Sequence, residues 1–445
     1  MKRFSTLVSF FLIFTPVFSQ PFHPLPTINN PPLFNDQLHY TSSLLNQPNR
    51  EVRILIYGQS ISVQQWWKEV KAYFEKKYPN TKFNIVNKSI GGFSTERLKI
   101  TTANDIASFY PDLILFHDYG NEQDYEKIIR IIQSKTTADI AIQTDHMANQ
   151  GQEWHNHHSD VWMPELCKKY GLALLDIRKY WKQYLKDNNL QIKDLVVDGI
   201  HLNNQGNYLM AAIIENYFDN LSYGGASDNR MKILKRGKDF SVKKDILTLS
   251  FTGNRIDVQA DASAKAASIG LVVDQQSLET NKGCYYYTRP TRQSNNSFLT
   301  KIGFLIAMDL SDKVQEEDWS LTIISIDSVQ QQVVFSIKGS KTGEDGTGNS
   351  IELFTSKSGK ITIKPDYWFI RRNEGDFSQY SWLQPGDVLQ WQTKCMCHES
   401  AVLTPSSIQT LFQGISNTKH QLTITGQGAK HIKEIVVYTP VLPNE

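Results

Sequence analysis

The feature that most constrains this chain is a series of short apolar strands alternating with helical segments between Val52 and Phe218. Val52-Arg-Ile-Leu-Ile-Tyr57 reads as a strand ending at Gly58, and Trp66 to Lys77 has helical spacing that stops before Pro79. Lys82 to Val86, Leu113 to Phe116, Asp139 to Gln143 and Leu172 to Asp176 read as further strands. Asp124 to Gln133, Trp162 to Tyr170 and Gln205 to Phe218 read as helices between or after them. Parallel neighbours need a long crossover, usually a helix, and strands apolar throughout need cover on both faces. The alternation therefore predicts an α/β unit with a parallel sheet over residues 51–222.

Beyond about residue 225 the helical spacing disappears. Ile246 to Phe251, Arg255 to Val258, Ile269 to Val273, Leu321 to Ile326 and Gln331 to Ile337 are short, β-branched and bounded by turns. Lys360 to Lys364, Gln421 to Thr425 and Ile435 to Tyr438 continue the series. Such strands predict a β-sandwich or jelly roll over 223–445. Gly343-Glu-Asp-Gly-Thr-Gly-Asn349 is read as a turn between two of them, and 281–385 as an inserted β domain.

The N-terminus differs in kind. Lys2 and Arg3 precede an apolar run from Leu7 to Phe18, and Val17 and Ser19 are small residues before Gln20. This three-part layout predicts a signal peptide over 1–19 and a secreted or periplasmic protein, with a run too short to span a bilayer. Residues 20–50, with Pro21, Pro24, Pro26, Pro31 and Pro32, read as an extended lead-in. Charge is balanced, 47 basic against 45 acidic residues, so there is no surplus for neutralising phosphates, and nucleic acid is not an expected partner. Four cysteines, Cys167, Cys284, Cys395 and Cys397, leave a bond from Cys284 to one of the last two and buried free thiols both open.

Four loops carry residues suited to chemistry. Gly58-Gln-Ser-Ile-Ser62 follows the first strand, placing Ser60 where open α/β sheets bind ligands. Ser62 replaces the last glycine of a Gly-x-Ser-x-Gly elbow, which argues against an α/β-hydrolase nucleophile elbow. Asn87-Lys-Ser-Ile-Gly-Gly92 and Tyr119-Gly-Asn-Glu122 follow the next two strands, and both offer donors for an anion, a glycine N–H and an asparagine amide. Asp198-Gly-Ile-His201 precedes the last helix, and its spacing lets a carboxylate and an imidazole share one turn. A serine nucleophile needs such a base and an orienting acid. Separately, each loop would pass as an ordinary turn.

Together, in order and residue type, these blocks resemble the SGNH (GDSL-like) hydrolases over about residues 51–220. Gly-Gln-Ser in the first block looks more like the carbohydrate esterases of that clan than its lipases. The resemblance implies a flavodoxin-like sheet and no cofactor. It assigns Ser60 as nucleophile, with Asp198 and His201 completing a triad. It assigns the Ser60 and Gly92 N–H groups and the Asn121 amide as the oxyanion hole, with Gly91 as the alternative to Gly92. The implied activity is hydrolysis of acetyl or other short acyl esters on a polysaccharide or oligosaccharide. The rivals are a lipase-like or aryl esterase and an inactive glycan-binding protein. Trp66 and Gln59 are candidate substrate contacts. The histidine-rich Glu153-Trp-His-Asn-His-His158 is read as a solvated or substrate-facing loop, and no metal site is expected.

Overall fold

The computed structural model describes residues 22–26, 37–45, 50–221, 228–264, 267–292, 304–369 and 383–441. The expected signal peptide and part of the lead-in lie outside the described residues; the described part is not extended throughout, because His39–Leu44 forms a short helix that buries Tyr40, Thr41 and Leu44.

Five parallel strands form the first sheet: β1 (Glu51–Gly58), β2 (Lys82–Asn87), β3 (Leu113–His117), β4 (Asp139–Gln143) and β5 (Ala173–Leu175). Their spatial order is β2-β1-β3-β4-β5, the flavodoxin-like arrangement. Alternation along β1 serves both faces. Ile54 and Ile56 pack with Trp66, Phe74, Trp181 and Met210, from helices Trp66–Lys77, Ile177–Asp187 and Asn204–Asp219. Leu55 and Tyr57 pack with Leu98, Tyr125, Ile129 and Leu166, from helices Thr95–Ala107, Glu122–Lys135 and Met163–Tyr170. Burial on both faces explains why the β3 and β4 residues are uniformly buried. The chain leaves β1 toward β2 on one side and returns to β3 on the other. Loops therefore diverge at the C-terminal ends of β1 and β3, which is where such sheets form a crevice.

The C-terminal region consists of antiparallel sheets forming a sandwich. One sheet is built on the long strands Ile246–Ala260 and Ile408–Thr425 and includes Met231–Lys235, Ser268–Val273, Ser400–Val402 and Ile432–Tyr438. Another centres on Glu317–Asp327, Gln332–Gly339 and Val388–Cys395 and has its own apolar core around Trp319, Phe335 and Trp391. The β region is tied to the α/β unit by polar contacts, including Arg289 on Asp105 at 2.9 Å and Gln413 Nε2 donating to Ala107 O at 2.8 Å.

Two expectations are corrected here. Gly343–Asn349 is a strand paired with Gln332–Gly339, not a turn. Gly348 serves close packing, since a Cβ there would lie 2.4 Å from the Phe354 ring. The histidine-rich stretch is not a loop but a helix, Gln152–His157, running into a π-helical turn, His158–Trp162. All four cysteines are free thiols, and Cys167, Cys284 and Cys397 are buried. No described helix is long and apolar enough to cross a membrane.

Candidate active site

Ser60 begins a short helix, Ser60–Val63, directly after β1. Gly58 makes that approach feasible. It sits at φ +142°, opposite His117 in register, and a Cβ there would fall 1.8 Å from His117 O. Only glycine allows the two strand ends to lie so close.

His201 reaches Ser60 from the other end of the unit. Its Nε2 is 2.9 Å from Ser60 Oγ, and its Nδ1 is 2.7 Å from Asp198 Oδ2. Asp198 Oδ1 accepts the N–H groups of His201 at 2.8 Å and Ile200 at 3.1 Å, so one carboxylate closes the turn and holds the ring. Those hydrogen bonds, led by the His201 side chain, keep the Asp198 carboxyl well below its ordinary range. With Asp198 accepting at Nδ1, the His201 Nε2 lone pair faces the hydroxyl. Ser62 lies elsewhere: its Oγ is buried and has no hydrogen-bond partner among the described residues.

The turn is held from two sides. His146 Nε2 donates to Ile200 O at 2.7 Å, and Asn149 N donates to Gly199 O at 2.8 Å. Burial, then the neighbouring His117, lowers His146 to about 3, so it serves as a neutral donor. From the serine side, Gln64 clasps the backbone of Leu202. Its Oε1 accepts Leu202 N–H at 2.9 Å and its Nε2 donates to Leu202 O at 3.2 Å. Residues four after Ser60 and one after His201 thus lock the two loops together. Neither Gln64 nor the buried Arg178, which donates to His146 O at 2.9 Å, stood out in the sequence. Both act through contacts that only the folded chain creates.

The second block lies against the serine, and the third follows β3, the strand next to β1. An added Cβ on Gly91 would lie 3.8 Å from Ser60 Cβ, which places that glycine against the serine. Gly92 follows at φ +78° with open space around it. Asn121 caps helix Glu122–Lys135, its Oδ1 accepting from Gln123 N at 2.9 Å and Asp124 N at 3.2 Å. The cap uses the carbonyl end of the amide and leaves Nδ2 as the end able to donate outward. Gly120, at φ +131°, has no room for a side chain, since a Cβ would meet Thr95 Oγ1 at 2.4 Å.

The two candidate substrate contacts require correction. Trp66 is fully buried under the sheet, its indole N–H donating to Ile61 O at 2.8 Å. Gln59 is also buried, and its amide meets Ser60, Ile61 and His117 rather than solvent. Among the described residues no group of three or more histidine, cysteine or carboxylate side chains could hold a metal ion. His155 instead bonds Asp145, and His158 is stacked between Trp154 and Trp162.

Fold and site together give an α/β sheet carrying a hydroxyl, an imidazole and a carboxylate in hydrogen-bonded series at its C-terminal edge. No family model and no curated protein matches the chain. Solved structures do. A two-domain esterase active on acetylated mannans, co-crystallized with mannopentaose, is similar at 12% identity over 92% of this chain and 97% of that one, with a TM-score of 0.36. An acetyl xylan esterase from Geobacillus stearothermophilus is similar at 16% identity over 40% of this chain and 97% of that one, with a TM-score of 0.33. A putative GDSL-like lipase from Parabacteroides merdae is similar at 14% identity over 39% of this chain and 98% of that one, with a TM-score of 0.33.

Proposed function

We propose that this chain is an exported serine esterase that removes acetyl or other short acyl groups from a polysaccharide or oligosaccharide. The observation carrying this reading is the series Asp198–His201–Ser60, with contacts of 2.7 and 2.9 Å. An imidazole held by a carboxylate and facing a serine hydroxyl is equipped to make that hydroxyl a nucleophile.

In the proposed reaction His201 Nε2 takes the Ser60 proton as Oγ attacks the ester carbonyl. The oxyanion is held by the N–H groups of Ser60 and Gly92 and by Asn121 Nδ2. Collapse breaks the bond to the sugar oxygen, and His201 returns the proton to that leaving alkoxide. Water, deprotonated by His201, then attacks the acyl-enzyme and releases the acid and Ser60. Each oxyanion donor supplies about 3 kcal/mol of transition-state stabilisation in comparable sites.

Openness of the site supports a bulky substrate with a small acyl group. The side chains of His201 and Asp198 are 38% and 56% exposed, so the triad lies at the surface rather than at the base of a tunnel. The Gly-Gln-Ser block and the export signal expected at residues 1–19 point the same way. The test is acetate release from acetylated xylan, mannan and pectin by wild type and Ser60→Ala. Release by wild type alone supports the reading, and equal release by the variant removes Ser60 from the mechanism.

A further inference from the structure

Behind the proposed nucleophile runs a second carboxylate–imidazole series that the mechanism above does not use. Ser60 Oγ lies 2.6 Å from Gln59 Oε1 as well as 2.9 Å from His201 Nε2. The same Oε1 accepts the backbone N–H of Ile61 at 3.2 Å, which settles the orientation of the Gln59 amide. An amide turned the other way would set two donors against each other. Gln59 Nε2 therefore faces His117 Nδ1, at 3.4 Å, and that nitrogen must be the acceptor. The ring proton of His117 is then on Nε2, 3.3 Å from Asp145 Oδ1. Asp145 Oδ2 receives a hydrogen bond from His155 Nδ1 at 2.7 Å.

We propose that Gln59, His117 and Asp145 form a buried positioning chain that fixes the Ser60 hydroxyl for transfer of its proton to His201. The inference rests on Ser60 being the nucleophile. Direction is consistent along the chain: Ser60 donates to Gln59, Gln59 donates to His117, His117 Nε2 lies beside Asp145 Oδ1 without a formed hydrogen bond, and His155 donates to Asp145 Oδ2. A hydroxyl has one proton, and Gln59 Oε1 and the neutral Nε2 of His201 are both acceptors. Gln59 thus holds Oγ in the rotamer that also faces His201, and the proton swings to Nε2 when attack begins. A neutral amide is a weaker acceptor than a carboxylate, so it holds the hydroxyl without retaining its proton.

The burial of the chain argues that it is built for one arrangement. Asp145, His117 and Gln59 are 0%, 1% and 5% exposed. A buried carboxylate is costly unless it has polar neighbours, and Asp145 has an imidazole beside each oxygen, His155 at 2.7 Å and His117 at 3.3 Å. Burial alone would push its carboxyl up, but the neighbouring His117 and His155 rings outweigh that and hold it well below the usual range. Gly58 completes the device, because its missing side chain is what lets the His117 backbone approach the serine loop.

The test uses the full chain and two readouts: turnover of 4-nitrophenyl acetate, and the rate at which diethyl 4-nitrophenyl phosphate phosphorylates Ser60. His117→Phe keeps ring volume but removes the acceptor at Nδ1. It should lower kcat and the phosphorylation rate about 10- to 100-fold, the scale of a small misplacement of a reacting group, with KM little changed. His117→Asn should recover most of the loss, because its amide oxygen can stand where Nδ1 stood. Gln59→Met, which keeps side-chain length without the amide, gives the same comparison should His117→Phe not fold. Phosphorylation of both the His117→Phe and Gln59→Met proteins at the wild-type rate overturns the inference, as does equal impairment of the Phe and Asn variants at His117. Wild type that is neither phosphorylated on Ser60 nor active overturns the esterase reading itself, and this inference with it.

Discussion

The clasp of Gln64 on Leu202 is the least expected part of the site, and its removal makes a sharp prediction. Gln64→Met keeps the side-chain length but deletes both hydrogen bonds, at 2.9 and 3.2 Å. Leu202 O keeps a donor in Asn207 Nδ2 at 3.3 Å, whereas Leu202 N–H is left without its acceptor. Leu202 is 4% exposed, so that orphaned N–H costs about 2 kcal/mol. For a unit the size of the α/β region this corresponds to a fall of roughly 4–8 °C in its melting midpoint. The catalytic effect is larger. His201 immediately precedes Leu202, and a shift of about 1 Å at its ring would cost roughly 10²-fold in kcat. Gln64→Glu retains an acceptor for Leu202 N–H and should recover most of both losses. The assay is differential scanning fluorimetry beside kcat on 4-nitrophenyl acetate. A Gln64→Met protein with wild-type kcat would show that the two loops find their register without the clasp.

Three further predictions follow from the site and its surroundings. Asn121→Asp keeps an oxygen to cap helix Glu122–Lys135 but loses the amide donor, so stability should hold while kcat falls about 10²- to 10³-fold, measured on the same ester. Trp154 is 40% exposed, with one face stacked on His158 at 4.5 Å and an edge toward Tyr119 beside the third block. Trp154→Ala should raise KM for an acetylated oligosaccharide and leave KM for 4-nitrophenyl acetate unchanged, as expected of an aromatic surface for a sugar ring. Glu215 is raised to about 7 by burial, then by Glu69 and Asp219. Between its unfolded value and about 7 the folded state binds the extra proton, so stability declines as pH rises through that window. Glu215→Gln should match wild type near pH 4 and exceed it by about 1 kcal/mol at pH 8, after discounting for partial exposure, by denaturant titration.

The parallel sheet was legible because β1 and β3 are largely apolar and the first three strands end in Gly58, Asn87 and His117, where period and turn chemistry agree. The juxtaposition of Ser60, His201 and Asp198 was legible for a related reason. Asp198 and His201 lie in one turn, and Ser60 follows a strand, so local spacing already restricts where each can go. Helix Thr95–Ala107 was not read because its buried face includes Thr101, Thr102 and Asp105, which break the apolar stripe. Those residues are satisfied by the fold: Thr102 Oγ1 donates to Leu98 O, and Asp105 meets Tyr57 and Arg289. The helical order of Gln152–Trp162 is not legible in the sequence because it comes from Asp145, Arg178 and a Trp–His–Trp stack, all tertiary. Gln59 was placed among substrate contacts because a polar residue beside a nucleophile gives no local sign of which way it turns.

Trapping the acyl-enzyme tests the role of Ser60 most directly. Wild type mixed with excess 4-nitrophenyl acetate, quenched in acid within the first turnover and digested, should carry one acetyl group on the peptide containing Ser60. The Ser60→Ala protein should carry none and show no burst of nitrophenol. Acetyl found on Ser62, or steady turnover by the Ser60→Ala protein, would contradict the proposal that Ser60, driven by His201 and Asp198, is the nucleophile.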